Sequence, residues 1–556
     1  MEKRVVIAIV LCILVLFLWE KFFVPKRKPI PPGTSPEVEQ AAPEQEEPDQ
    51  VRPEASQPTL TESPTITPPP FPAPTVRASR DVVVDTPLYR AVFTETGGRL
   101  KSFVLKKYRE AIAENSPGKE LVSTSKIEDL PLAFNFANHP VAALNLAQYL
   151  ADQASVTVSS GQNKTLTFTY EAPGWLRISQ QYTFHSDRYS FDLKVRVENL
   201  GSQPWEDAPT LSLINKPFSE GEGSRYGFKG ASLLQKGKLR EIKFKKIEGE
   251  MQLPGPVDWI AYTGQYFIVS VVPLELSPNH ARLKVVDQSN QMVETTFVGP
   301  EAMLQTGAKQ EFQFKLFLGP KEVKLLQAAD PKLAKAVNFG WTDIIAQPLL
   351  VCLKFFYRFT HNYGVAIILL TVLIKILFWP LTHKSYVSMQ KMKKMQPKMQ
   401  KIKEKYKDDK EKLNQEIMQL YRTQGTNPLG SCLPMVLQIP VFFALYRVLY
   451  GSIAMRHAPF ALWINDLSAP DRLYVGLNIP YLGGLPVLTI LMGVSMFLQQ
   501  KMSPTSVDPR QEKMMLMMPV IFTVFFVNFP SGLVLYWLVN NILSIGQQYY
   551  INKKTA

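Results

Sequence analysis

Two periods of hydrophobicity divide the chain. From about residue 81 to 330, apolar and polar positions alternate, as in TLTFTYE (165–171), WLRISQQYTFH (175–185) and YSFDLKVRVEN (189–199). A period of two puts every second side chain on one face of a strand, so these runs predict strands half-buried against a core. The runs YFIVSVVPLEL, ARLKVVD and EFQFKLFLG continue the series, with turn signals such as TGGR and SGQNK between neighbours. Many strands with few helices predict an all-β sandwich domain over 81–335.

Past residue 335 the alternation gives way to longer apolar runs. Residues 336–362 mix Trp, Lys and Arg into apolar sequence, which predicts an amphipathic helix lying in a membrane interface. Five apolar segments follow, at about 363–382, 432–450, 482–500, 514–529 and 531–549. The fourth is short: its length gives about 24 Å of helix against a hydrocarbon core of about 30 Å. Either its ends extend or the bilayer thins around it.

A sixth apolar run, Val5 to Trp19, opens the chain. A cleaved signal peptide would place small residues after it, but Glu20, Lys21 and Phe22 follow, and Leu11 precedes Cys12. Residues 1–24 therefore predict an uncleaved anchor. Residues 25–80 hold 15 prolines among Glu, Gln, Ser and Thr, which predicts an extended spacer. The expected architecture is an α-helical polytopic membrane protein of six spans, five of them in one core (363–382 and 431–556). A β-sandwich and a helical hairpin at 383–430 complete it.

Charge orients this arrangement. The chain carries a formal charge of +14, which suits anionic lipid or nucleic acid as a partner. Residues 383–430 contain twelve Lys or Arg, whereas 451–481 contain only Arg456 and Arg472. The positive-inside rule then puts the hairpin and both termini in the cytoplasm and the β-domain outside. In the hairpin, Met389, Met392, Met395, Met399, Ile402 and Tyr406 form a narrow stripe with lysines around it, and Pro397 is expected to interrupt the first helix. Lys398, Lys401 and Lys405 are its candidate contacts, toward lipid headgroups or ribosomal RNA; a solvated coiled coil is the plainer alternative.

One charge falls inside a span. Lys375 stands in TVLIKILFWPLTH (371–383), where a cation at the helix centre costs roughly 2.5–3.5 kcal/mol on insertion scales. Its long stem can snorkel to the interface. Thr371, Lys375, Phe378 and Thr382, however, share one helical face, and Tyr536, Asn540, Ser544 and Gln547 form a second polar stripe in the last span. Two such stripes predict a common wet cavity. The five clustered segments contain no Asp or Glu, which argues against a proton- or ion-coupled transporter. Three cysteines and six histidines show neither a disulfide framework nor ligand spacing, no G-x-x-x-x-G-K-[ST] pattern occurs, and the β-domain shows no nucleophile–base or carboxylate pair. No cofactor, metal or catalytic residue is expected.

The runs QPKMQKIKEKYKDDKEKLNQEIMQLYRTQGTNPLGSCLPMVLQIPVFFALY, APFALWINDLSA, QKMSPTSVDP and PVIFTVFFVNFPSGLVLYWLVNN closely resemble the YidC/Oxa/Alb family of membrane-protein insertases, in the double-membrane bacterial type with a large periplasmic domain. The likeness extends over the whole chain. It implies a non-enzymatic insertase and chaperone of the inner membrane. It also implies a periplasmic β-sandwich of sugar-mutarotase-like fold, and a five-helix core enclosing a hydrophilic groove open to cytoplasm and lipid. The partners implied are nascent membrane proteins, the Sec translocon, the ribosome with the signal-recognition targeting machinery, and anionic lipids. Lys375 stands where the family keeps a groove arginine, so the charge remains while the bidentate fork is lost. Thr371, Tyr536, Asn540 and Ser544 would be groove polar residues. Phe442, Met492, Phe525 and Trp537 would line the substrate path, Trp537 replacing a family tyrosine.

Overall fold

The computed structural model describes residues 79–555 apart from 123, 125, 139–143, 219–227, 275–276, 408, 426–432, 477–478, 481 and 503–508. The expected anchor, and the spacer up to residue 78, lie outside the described residues.

The three alternating runs quoted first become adjacent strands, Asn163–Ala172, Leu176–His185 and Ser190–Asn199, in a nine-stranded antiparallel sheet. Their inward positions are apolar except Gln180: Leu166, Phe168, Ile178, Tyr182, Phe184, Phe191, Leu193 and Val195 are buried. Two five-stranded sheets cover that face. One brings Phe93, whose ring lies 4.7 Å from Tyr182 and 6.1 Å from Phe168; the other brings Phe297, 5.8 Å from Phe314. Side chains of all three sheets join in one apolar core, so the domain is a β-sandwich. A short helix α1 (Val323–Ala329) follows the last long strand, Lys309–Pro320.

Seven helices follow among the described residues: α2 (Asp343–Thr360), α3 (Tyr363–Lys405), α4 (Lys410–Thr423), α5 (Leu433–Gly451), α6 (Val487–Met502), α7 (Pro509–Phe526) and α8 (Ser531–Thr555). On α2, Ala346, Leu350 and Leu353 are buried while Ile344, Val351, Phe355 and Phe359 are exposed, so apolar residues occupy both its inner and outer faces. It ends at His361 in a left-handed conformation (φ 50°), and Asn362 restarts the chain by accepting the Val365 N–H at 3.1 Å.

The structure corrects three expected details of these helices. The span at 363–382 and the first hairpin helix are one uninterrupted helix, α3, which runs through both Pro380 and Pro397. Each proline removes one N–H donor, and the bonds on either side of it are enough to carry the helix across. At 43 residues α3 is about 64 Å long, roughly twice the hydrocarbon core. Next, the segment read from 482 begins its helix only at Val487, because Leu473 and Leu485 exchange backbone hydrogen bonds of 2.8 Å just before it. Finally, the short helix is α6, with 16 residues; the segment expected at 514–529 belongs to the 18-residue α7, which starts earlier and ends at Phe526. By length and composition, α3 is long and apolar enough to cross a membrane, and Val487–Met502 and Met515–Phe526 are shorter apolar helices.

Candidate functional site: a polar seam between α3 and α8

The helical core is apolar around Leu370, Leu445, Val448, Leu533 and Val534, all buried. Polar groups cross it along α8. The Lys375 ammonium of α3 donates to Ser544 Oγ at 2.6 Å, and Ser544 Oγ in turn donates to the Asn540 carbonyl at 2.7 Å. Two turns further along α3, Gln547 Nε2 donates to Thr382 Oγ1 at 2.8 Å, while Thr382 donates to the Phe378 carbonyl at 3.0 Å. Beyond them, Gln390 and Asn552 are hydrogen-bonded across the same two helices.

Beside this seam lies a cavity of about 20 Å³, lined by Lys375, Thr382, Gln438 and Asn540 together with Ile374, Phe378, Leu381 and Val441. That is room for roughly one water. Residues 363–403 and 531–555 contain no Asp or Glu, and among the described residues Lys375 makes no ion pair. Its charge is met by a hydroxyl, a donor–acceptor contact that leaves the ammonium uncompensated.

The remaining candidates separate. Thr371 is buried, and its hydroxyl donates to the Ile367 carbonyl of its own helix at 2.7 Å; it does not line the cavity. Tyr536 is buried in the bundle core. Phe442 and Trp537 meet edge to face at 4.8 Å, with Phe526 5.0 Å from Trp537, which makes an aromatic cluster from α5, α7 and α8. Phe525 is 61% exposed on the outer face of α7, whereas Met492 is fully buried on α6. Lys398, Lys401 and Lys405 are exposed on the far part of α3. There Tyr421 of α4 contacts Met399 Sδ at 3.8 Å, and Asp409 caps α4 by accepting the Lys412 N–H at 3.0 Å. Among the described residues no group of three or more His, Cys, Asp or Glu could hold a metal ion.

Sequence reasoning missed a second polar row. Asn541 donates to Ser495 Oγ at 3.0 Å and Gln548 to the Met502 carbonyl at 3.0 Å, which ties α8 to α6. The signal was present in the doublets Asn540-Asn541 and Gln547-Gln548, set seven residues apart: Asn540 lines the cavity and Gln547 bonds to α3, while the second amide of each doublet bonds to α6.

A polar seam inside an apolar helical core, carried with a β-sandwich on one chain, agrees with two family models. The YidC periplasmic domain matches residues 81–352 and the 60Kd inner membrane protein matches residues 355–556. Together they describe an inner-membrane protein with a periplasmic domain. The membrane protein insertase YidC of Syntrophobacter fumaroxidans is 46% identical over 560 residues, covering all of both chains. That of Syntrophus aciditrophicus is 43% identical over 562 residues, again with full coverage of both. The chain belongs to the YidC family of membrane protein insertases, and its activity is the insertion of proteins into the bacterial inner membrane. A solved structure of an active YidC insertase with its first transmembrane domain resolved is 21% identical, with a TM-score of 0.37, and covers 86% of this chain and 95% of that one.

Proposed function

We propose that insertion proceeds through the space between α3, α5 and α8, with Lys375 as the group that draws the substrate in. The carrying observation is the Lys375–Ser544 contact: a cation between two helices that carry no Asp or Glu over 363–403 and 531–555, met among the described residues by a hydroxyl and bordering a cavity. Exchanging that hydroxyl for a substrate carboxylate replaces a bond to a neutral acceptor by a bond between opposite charges. The polar or acidic outer segment of an incoming protein is attracted partway across the bilayer. Its apolar segment then passes along Phe442, Phe525 and Trp537 into lipid. Burial of that segment supplies the driving force, roughly 25 cal/mol per Å² of apolar surface. No covalent step or cofactor enters, and the same surfaces serve a chaperone role during folding.

The reading places six spans in the membrane: the N-terminal anchor, α3, α5, α6, α7 and α8. The basic excess of 383–430 over 451–481 supports cytoplasmic termini and a periplasmic β-domain. The Sec translocon, the ribosome and the signal-recognition machinery are the partners that deliver substrates, and anionic lipid surrounds the basic hairpin.

The test is insertion of a single-span protein with an acidic translocated tail into proteoliposomes. Lys375→Ala slows it, and Lys375→Arg restores it. Crosslinkers placed at residues 375 and 537 capture the substrate during synthesis. Normal rates for Lys375→Ala on every substrate would instead make Lys375 a snorkelling side chain with no part in insertion.

A further inference from the structure

A second opening lies on the outer side of the same two helices. It measures about 420 Å³ and is lined by Trp379, Pro380 and His383 of α3 and by Tyr550 and Lys554 of α8. We propose that this cleft binds the headgroup of one anionic phospholipid of the cytoplasmic leaflet; the assignment rests on the orientation given above.

Three observations carry it. Pro380 and His383 continue a stripe on α3 that begins with Leu369, Leu373 and Ile376, at spacings of four, three, four and three residues. Those three side chains are exposed, as is the neighbouring Leu377 at 73%, so an apolar track left uncovered by the described residues leads to the cleft. From Leu369 to His383 the track rises about 21 Å, enough to follow an acyl chain through one leaflet of about 15 Å and place its head beyond it. At the cleft the lining changes to aromatic and basic. Trp379 and Tyr550 are amphipathic rings suited to the headgroup level, and Lys554 is exposed there, with Lys553 before it and Lys384 directly after His383 in sequence.

Charge selects among headgroups. Residues 363–403 of α3 and all of α8 lack acidic side chains, so a zwitterionic lipid and an anionic one meet only positive groups. A phosphate-bearing anion gains from Lys554 and pays no repulsion, and each basic residue near an anionic surface contributes about a fivefold preference. A general interfacial belt of Trp, Tyr and Lys would attract lipid all around the bundle. The cleft differs because two helices wall it and a continuous apolar strip enters it from one side.

The experiment uses the full-length protein in nanodiscs that contain brominated phosphatidylglycerol or brominated phosphatidylcholine in an unbrominated zwitterionic background. The signal is the quenching lost in Trp379→Phe, which isolates this tryptophan. Phosphatidylglycerol should half-saturate that signal at about a fivefold lower mole fraction than phosphatidylcholine. Lys554→Gln should erase the preference and Lys554→Arg should keep it, with helix content unchanged in both. Equal quenching by the two lipids would leave only annular contact and overturn the site. Displacement of the lipid by inorganic phosphate, or by a ribosomal RNA fragment, would overturn the lipid assignment in favour of that competitor. Labelling of a cysteine at position 384 by an impermeant reagent from the cytoplasmic side keeps the two readings separable. Labelling from the periplasmic side would overturn the orientation and this site with it, whereas equal quenching with a cytoplasmic 384 would overturn this site alone.

Discussion

The Arg456 guanidinium carbon stands 5.5 Å from the centre of the Phe267 ring, and Arg456 Nη2 donates to the Glu110 carbonyl at 3.0 Å. Both partners belong to the β-sandwich, whereas Arg456 lies in the loop after α5. Gln265 Nε2 donates to the Tyr450 carbonyl at 2.6 Å, and Lys354 pairs with Glu322 at 2.8 Å. The two parts of the chain are therefore fastened at several points. Arg456→Ala should remove a cation–π contact of about 0.5–2 kcal/mol. Hydrogen exchange should quicken around residues 107–112, 264–268 and 450–456, while insertion of simple substrates continues. A deletion of 81–310 should likewise retain such insertion if α2 is kept. Complete loss of insertion in a stably expressed deletion would give the domain an essential step.

Asp471 should be the residue that fixes the loop between α5 and α6. It is buried, accepts Trp463 Nε1 at 2.6 Å, and receives the Leu488 and Thr489 N–H groups at the start of α6. A carboxylate there satisfies orphan donors and meets the positive end of the helix dipole. Asp471→Asn should cost about 1.5–3 kcal/mol, the range for hydrogen bonds to a charged group. Thermal unfolding in detergent, with Trp463 fluorescence as a local probe, measures it; an unchanged midpoint and spectrum would show that the loop folds without the charge.

The hairpin should act through its charge. Charge reversal at Lys398, Lys401 and Lys405, all exposed, should weaken ribosome co-sedimentation and insertion while the helical core stays folded. The effect should shrink as salt rises, because exposed charges are screened over about 8 Å at physiological ionic strength. Identical values for wild type and triple variant at low and high salt would remove this charge from the mechanism.

Acid should loosen the edge of the β-sandwich through Glu95. Its side chain is buried and accepts Arg80 Nη2 at 2.7 Å, Arg80 Nε at 3.1 Å and the Arg80 N–H at 3.1 Å. Burial alone would raise this carboxyl, but the Arg80 guanidinium and the Arg80 and Ala151 backbone donors outweigh it and hold it below its ordinary value. With the folded pKa below an unfolded value of about 4.3, the unfolded state binds more protons between the two. The stabilisation is complete above that unfolded value and drains away as pH falls through the folded one. Glu95→Gln should flatten the acid limb of the stability–pH curve, read from urea midpoints at about pH 7 and about pH 3.5. Parallel curves for the two proteins would show that the pair contributes nothing pH-dependent.

The sequence by itself determined the class of each region. Alternation at Leu166, Phe168 and Tyr170 makes a strand whatever it packs against, because side chains of a strand must alternate between faces. The apolar runs after residue 362 likewise favour helices, and the twelve basic residues at 383–430 mark that segment as a candidate cytoplasmic one. What the sequence left open were contacts between residues far apart. Lys375 and Ser544 are 169 residues apart, and whether they meet depends on how α3 and α8 rotate and slide against each other. The packing of α6 and α7 likewise buries Met492 and exposes Phe525, although the family resemblance implied both as path residues. Pro397 was expected to interrupt its helix, yet α3 continues through it and through Pro380. Local pattern fixes which way a side chain points from its own element; only packing decides what it then touches.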